Sequence, residues 1–279
     1  MKKGLWFVLF GVVLSLMACS KKPQVNVTPS KIDKSNVPTV FIHGYKGWDK
    51  TMSTMTKSLE KSQLTQQEMV MTVSATGEVS VETDLEGAFK KNNPTIRLSF
   101  ENNTNHQWDQ AEWIKAALHE LKDSFQVEEV NLVGFSMGGI SSLLYLETFS
   151  NDESLPKVNK VISIGSPFND FLEDDEQTLE DLLTSGPTVV GETLENYTNL
   201  VGNIPKETSF YLIGGQLSES ELTDGTVPLN SSLGVYSLLA SQGLNVKESI
   251  IMGSEAKHSN LKLNEEVIQL VANYLYLNE

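Results

Sequence analysis

The chain has 279 residues, 39% hydrophobic and 20% charged, an ordinary globular balance that excludes whole-chain disorder, collagen and coiled coil. Its 21 Lys+Arg stand against 36 Asp+Glu, a net charge of −15, so the surface should repel phosphate backbones and no nucleic-acid partner is expected. A single cysteine excludes an internal disulfide.

Residues 1–18 start Met1-Lys2-Lys3, run apolar from Gly4 to Met17 and end on Ala18. A basic start, a short apolar core and a small residue before the cleavage point describe a secretory signal. The run holds about 14 residues, short of the roughly 20 that span a bilayer. Leu16-Met17-Ala18-Cys19 resembles the bacterial lipobox, in which the cysteine is lipidated and becomes the mature N-terminus. Acyl chains on Cys19 would hold the protein at a membrane surface rather than across it. Residues 19–37 are polar, with Pro23 and Pro29, and read as a flexible tether. The expectation is an exported protein, lipid-anchored to the outer face of the cell membrane. Loss of Lys2 and Lys3 with the signal takes the net charge from −15 to −17.

From residue 38 apolar strands alternate with helices, and 38–279 reads as one domain without internal repeats. Pro38 to Ile42 is a short apolar strand before a turn at His43-Gly44. Residues 68–75 and Thr95 to Phe100 are further strands. Trp108, Ala111, Ile114, Ala117, Leu118 and Leu121 recur at spacings of three and four, an amphipathic helix over 107–122. Glu129 to Phe135 is a strand followed directly by a helix carrying Leu143, Leu144 and Leu146. Lys160 to Ile164, Ser209 to Ile213 and Glu248 to Met252 read as strands buried on both faces, and Leu261 to Leu277 as a closing helix. Buried strands interleaved with helices predict an α/β fold, a mostly parallel sheet with helices on both sides.

Gly134-Phe135-Ser136-Met137-Gly138 fits G-x-S-x-G between a strand and a helix. That placement suits a nucleophile elbow, where a strained turn lifts a serine hydroxyl above the sheet. A serine hydroxyl needs a base to remove its proton. Of four histidines, His119 lies on a solvated helix face and His106 in a polar loop. His43 is read as a buried residue that shapes its loop. His258 follows a late strand, at the carboxyl ends of the strands where open α/β sheets place their sites, and is the candidate base. A carboxylate must hold the base in its productive tautomer, and Asp224, in Asp224-Gly225-Thr226-Val227-Pro228, is the candidate. The order Ser136, Asp224, His258 is that of α/β-hydrolases. An oxyanion needs preorganised donors. The candidates are the amides of Met137, directly after the serine, and of Tyr45, in His43-Gly44-Tyr45.

Taken together, the early strand with its His43-Gly44-Tyr45 loop, Gly134 to Gly139, Ile162 to Asp170, Asp224 to Pro228 and His258 resemble the α/β-hydrolase superfamily. More narrowly they are similar to the cell-surface α/β-hydrolases of low-GC Gram-positive bacteria, a family largely without an assigned substrate. The resemblance spans roughly residues 38–277 and implies a triad of Ser136, Asp224 and His258. Phe135 departs from it, since many relatives carry His there.

Residues 167–205 are the expected specificity element, a small helical cap. Phe168, Phe171, Leu172, Leu179, Leu182 and Leu183 recur at roughly helical spacing. Ser185-Gly186-Pro187 breaks that helix, and a second follows around Leu194 and Tyr197. Neither a zinc-ligand pattern nor a nucleotide-binding glycine motif occurs, so no cofactor or metal is expected. The sequence therefore points to a monomeric serine hydrolase of carboxylic esters or lipids, esterase- or lipase-like. A peptidase, thioesterase or acyltransferase could use the same triad, and a non-catalytic binding protein could keep the same fold.

Overall fold

The computed structural model describes residues 32, 34–173 and 176–277; the expected signal, Cys19 and most of the expected tether lie outside them. Among these residues eight strands form one sheet: β1 (Thr39–Ile42), β2 (Gln66–Val73), β3 (Val79–Thr83), β4 (Pro94–Phe100), β5 (Glu129–Phe135), β6 (Lys157–Ile164), β7 (Ser209–Gln216) and β8 (Asn245–Met252). They lie in the order β3-β2-β4-β1-β5-β6-β7-β8. Every pairing is parallel except β2 with β3.

Both faces of the central strands are buried, which is why their sequences read as continuous apolar runs. In β1, Val40 and Ile42 enter one core and Phe41 the other. The first core also holds Ile114 and Leu118 of α2 (Gln107–Phe125) and Leu143 of α3 (Met137–Phe149). The second takes Met55 and Leu59 of α1 (Ser53–Lys61) and Val267 and Val271 of α9 (Glu265–Tyr276). Between β7 and α9 lie α6 (Leu229–Ser232), α7 (Tyr236–Ser241), β8 and α8 (His258–Leu261).

Two expectations need correction. The stretch Glu248 to Met252 is not buried on both faces: β8 is an edge strand beside β7 alone, and Met252 is exposed. The closing helix begins at Glu265 rather than Leu261: α8 ends at Leu261, and the Asn264 side chain accepts the Glu266 and Val267 amides to start α9 afresh.

The chain reverses its progression across the sheet between β1 and β5. After β1 it passes through α1 to β2 on one side, and after β5 through α3 to β6 on the other. Ile42 pairs with Gly134, so the two strands end level. The residues that follow them face one another across a crevice, the place where open α/β sheets hold their ligands.

Candidate active site

The crevice is built around the turn from β5 to α3. Ser136 has φ 54° and ψ −124°, a conformation costing a non-glycine residue of order 1–3 kcal/mol. Its amide is pinned by the Ile164 carbonyl at 2.8 Å. The turn closes only because its flanking residues lack side chains. A Cβ on Gly134 would stand 2.4 Å from the Gly138 and Gly139 backbone, and one on Gly138 2.6 Å from the Ile42 carbonyl oxygen.

His258, the first residue of α8, points its Nε2 at the Ser136 Oγ, 3.1 Å away. Its Nδ1 lies 2.6 Å from Asp224 Oδ2. An ionised carboxylate only accepts, so Nδ1 carries the proton and Nε2 presents a lone pair to the serine hydroxyl. Asp224 is 1% exposed, and its other oxygen accepts the amides of Thr226 at 2.9 Å and Val227 at 2.7 Å. The Asp224 carbonyl also accepts the His258 amide at 2.8 Å, joining the acid's loop to the base's helix through backbone as well as side chain. Beneath this pair Gly165 has φ +56°, and a Cβ there would press within 3.1 Å of Asp224 Oδ2. The structure thus brings Ser136, His258 and Asp224 together in one hydrogen-bonded line from residues 88 and 34 positions apart in the sequence.

The loop after β1 packs on the serine from the other side. Gly44 is so close that a Cβ would lie 2.8 Å from the Ser136 Cβ. The Lys46 amide donates to the Asn103 carbonyl and Asn103 Nδ2 to the Gly47 carbonyl, both at 2.8 Å, so the loop following β4 braces it. The amides of Met137 and Tyr45 have no acceptor among the described residues. Met137 opens α3, where the first amides of a helix have no partner within it and carry partial positive charge.

His43 is fully buried and belongs to the scaffold. Its Nε2 accepts the Phe100 amide at 3.2 Å, so Nδ1 is the protonated nitrogen and donates to the Gly44 carbonyl at 2.8 Å. Burial holds its pKa below the usual histidine value, which keeps this neutral, doubly bonded form. His106 and His119 are exposed and take no part.

Three contacts at the site escaped the sequence reading. Phe135, treated there only as a departure from the family pattern, packs its ring on His258 with centroids 4.9 Å apart. Lys262 lies over the Phe135 ring, Nζ 4.6 Å from its centroid, and partial burial lowers its pKa. A large apolar residue directly before the serine was the available signal. Asn103 left none, because its role depends on a backbone contact across 56 residues.

Within residues 167–205 the structure has α4 (Leu179–Ser185) and α5 (Glu192–Leu200), separated near the expected break at Ser185-Gly186-Pro187. The first helix begins only at Leu179, so the apolar spacing upstream of it is not helical: Phe168 is buried in a turn and Phe171 is exposed. Buried Asn169 anchors the segment, donating to the Val189 carbonyl at 2.8 Å and accepting the Gly191 amide at 2.7 Å. Among the described residues, no group of three or more His, Cys, Asp or Glu is gathered for a metal, and no helix is long and apolar enough to cross a membrane.

A mostly parallel sheet of this order, with a strand–serine–helix turn at its reversal point, defines an α/β hydrolase. The chain belongs to the family described as alpha/beta hydrolase of unknown function (DUF915), whose model matches residues 26–278. Among solved structures, a gene product of Listeria innocua is 28% identical with a TM-score of 0.79, over 86% of this chain and 94% of its own. A protein of Lactobacillus plantarum WCFS1, described as a candidate cell surface hydrolase, is 22% identical with a TM-score of 0.67, over 86% of this chain and 91% of its own. No curated protein matches. The family makes this chain a hydrolase in fold and class.

Proposed function

We propose that the protein is a serine hydrolase that cleaves carboxylic esters or lipids through an acyl-enzyme. The observation that carries this reading is the line from Ser136 Oγ through the His258 ring to the buried Asp224 carboxylate, with links of 3.1 and 2.6 Å. Ser136 Oγ attacks the ester carbonyl and its proton passes to His258 Nε2. The tetrahedral oxyanion is held by the Met137 and Tyr45 amides. Collapse breaks the bond to the leaving alcohol, which takes the proton from His258. Water repeats the sequence: it gives a proton to His258, attacks the acyl carbon and releases the acid, and Ser136 recovers its proton. Asp224 stays ionised and stabilises the imidazolium.

The same proposal places the enzyme outside the cell. The signal-like residues 1–18 and the lipobox-like Leu16-Met17-Ala18-Cys19 support export and a lipid anchor on Cys19, with residues 19–37 as tether and 38–279 as a monomeric hydrolase domain. Residues 167–205 act as its cap, a reading supported by the helices α4 and α5 within them and by exposed Phe171, Val189 and Val190.

Turnover of p-nitrophenyl esters of increasing acyl length, by the full-length chain and by Ser136→Ala, tests the reaction. Hydrolysis by the parent alone is the expected result. Hydrolysis that survives Ser136→Ala would remove the serine from the mechanism, and cleavage of thioesters or anilides in preference to esters would reassign the substrate.

A further inference from the structure

The two hydrogen bonds on the His258 ring leave one motion free. Nδ1 lies 2.6 Å from Asp224 Oδ2 and Nε2 lies 3.1 Å from Ser136 Oγ. Rocking about the line through the two nitrogens changes neither distance and only bends the bonds. The tilt of the imidazole therefore depends on what packs against its face. The Phe135 ring does so, with centroids 4.9 Å apart and planes at 34°. Phe135 is buried at the end of β5, directly before Ser136, so this contact ties the base to the strand that carries the serine.

Lys262 lies against the same ring. Its Nζ is 4.6 Å from the Phe135 centroid and donates to the Ser259 carbonyl at 2.6 Å. The chain carries 36 Asp+Glu, yet this half-buried lysine pairs with no carboxylate among the described residues. A carbonyl and an aromatic face hold its ammonium instead. Both contacts bear on α8, a single turn of four residues that is too short to be stable on its own. Fully buried Leu261 roots that turn in the core. Lys262 closes its C-terminal end, where carbonyls have no partner within a helix. Residues 258 and 262 stand four apart, so the imidazole and the ammonium reach the Phe135 ring from neighbouring positions.

We infer that Lys262 is a positioning residue of the hydrolytic site: it holds the Phe135 ring against His258 and so fixes the tilt of the imidazole toward Ser136. Lys262 acts through Phe135, so its effect exists only while that ring is present. An imidazole free to rock spends part of its time with the Nε2 lone pair turned off the serine hydroxyl. Proton transfer then slows while substrate binding is left alone. The role in turnover rests on the serine-hydrolase reading; the contact itself does not, and the state of the His258 ring can be measured in a protein that turns nothing over.

Ester kinetics and the proton NMR signals of the His258 ring, assigned with His258→Ala, test this in the full-length chain. The variants are Lys262→Met, Lys262→Arg, Phe135→Leu and the double Phe135→Leu/Lys262→Met. Methionine keeps an unbranched stem on the ring without the ammonium, and arginine keeps a cation there. Lys262→Met should lower kcat about tenfold with KM within about twofold, and Lys262→Arg should recover to within about threefold of the parent. In the Phe135→Leu background the lysine change should cost nothing further, because the group it acts through is gone. The ring current of Phe135 should displace the His258 signals in the parent, and Lys262→Met should reduce that displacement. Should Phe135→Leu fail to fold, the two single lysine variants still decide. In an active parent, an unchanged kcat or unchanged ring signals in Lys262→Met, a loss carried by KM, no recovery with arginine, or equal losses with and without Phe135 would each overturn the inference. A parent that hydrolyses no ester, with ring signals that still respond to Lys262→Met, would strike the serine-hydrolase reading and uphold the positioning contact. A silent parent with unresponsive signals would remove both.

Discussion

Asp224 holds His258 at two points: its carboxylate oxygen lies 2.6 Å from Nδ1, and its carbonyl accepts the His258 amide at 2.8 Å. The backbone link fixes where the ring starts, and the side-chain link fixes which way it turns and which nitrogen is protonated. The remaining carboxylate oxygen is held by the Thr226 and Val227 amides, so the acid itself cannot swing away.

Asp224→Asn separates these roles. An asparagine can keep the turn's two amide bonds, but its NH2 facing Nδ1 would force the proton onto Nε2, which then cannot accept from Ser136. Ester turnover should fall by about 10³–10⁴-fold while the unfolding midpoint barely moves. Steady-state kcat beside a thermal melt checks this, and a variant within tenfold of the parent would show that Asp224 does not orient the base.

Gly44→Ala tests the approach of the β1 loop to the nucleophile. Its Cβ would stand 2.8 Å from the Ser136 Cβ and 3.0 Å from the Phe135 carbonyl oxygen, so the loop must retreat by some tenths of an ångström. With the Tyr45 amide displaced, kcat should drop about 10²-fold with folding retained. Gly134→Ala, meeting backbone at 2.4 Å, should instead fail to fold, which circular dichroism would report.

Glu147, on the buried side of α3, has both carboxylate oxygens without a partner among the described residues, and burial pushes its pKa up to about 9. Between about pH 4.5 and 9 the unfolded chain releases this proton while the folded chain keeps it. Stability therefore declines as pH rises through that window. Glu147→Leu removes the burden and should raise stability at pH 8 by about 1–3 kcal/mol, with a smaller gain at pH 5. Urea unfolding at the two pH values measures it; a variant less stable at both would mean that the carboxyl has a partner in solution.

Much of the framework was legible because its signals are local. Central strands such as Val130 to Phe135 are buried on both faces and so are apolar throughout, and the spacing of Ala111 to Leu121 could form only a helix face. The glycines around Ser136 are required by contacts within a few residues, and the turn at Asp224 bonds to its own amides. Strand β3 was missed because it is a half-exposed edge strand, Val79–Thr83, that pairs through a hairpin rather than by burial. The extent of β8 was misread because an apolar run does not reveal that its strand has one neighbour. Contacts across long separations left no trace in the sequence. Asn103 braces the Gly47 carbonyl from 56 residues away, and Lys262 reaches Phe135 from 127 residues away.

The most direct test of the central claim is labelling by a fluorescent fluorophosphonate, which reacts only with a serine whose proton a neighbouring base removes. The full-length chain should label, Ser136→Ala should not, and His258→Ala should label at least 10²-fold more slowly. A folded parent that stays unlabelled, or label that persists in Ser136→Ala, would contradict an activated Ser136 and leave a hydrolase fold whose serine is not its nucleophile.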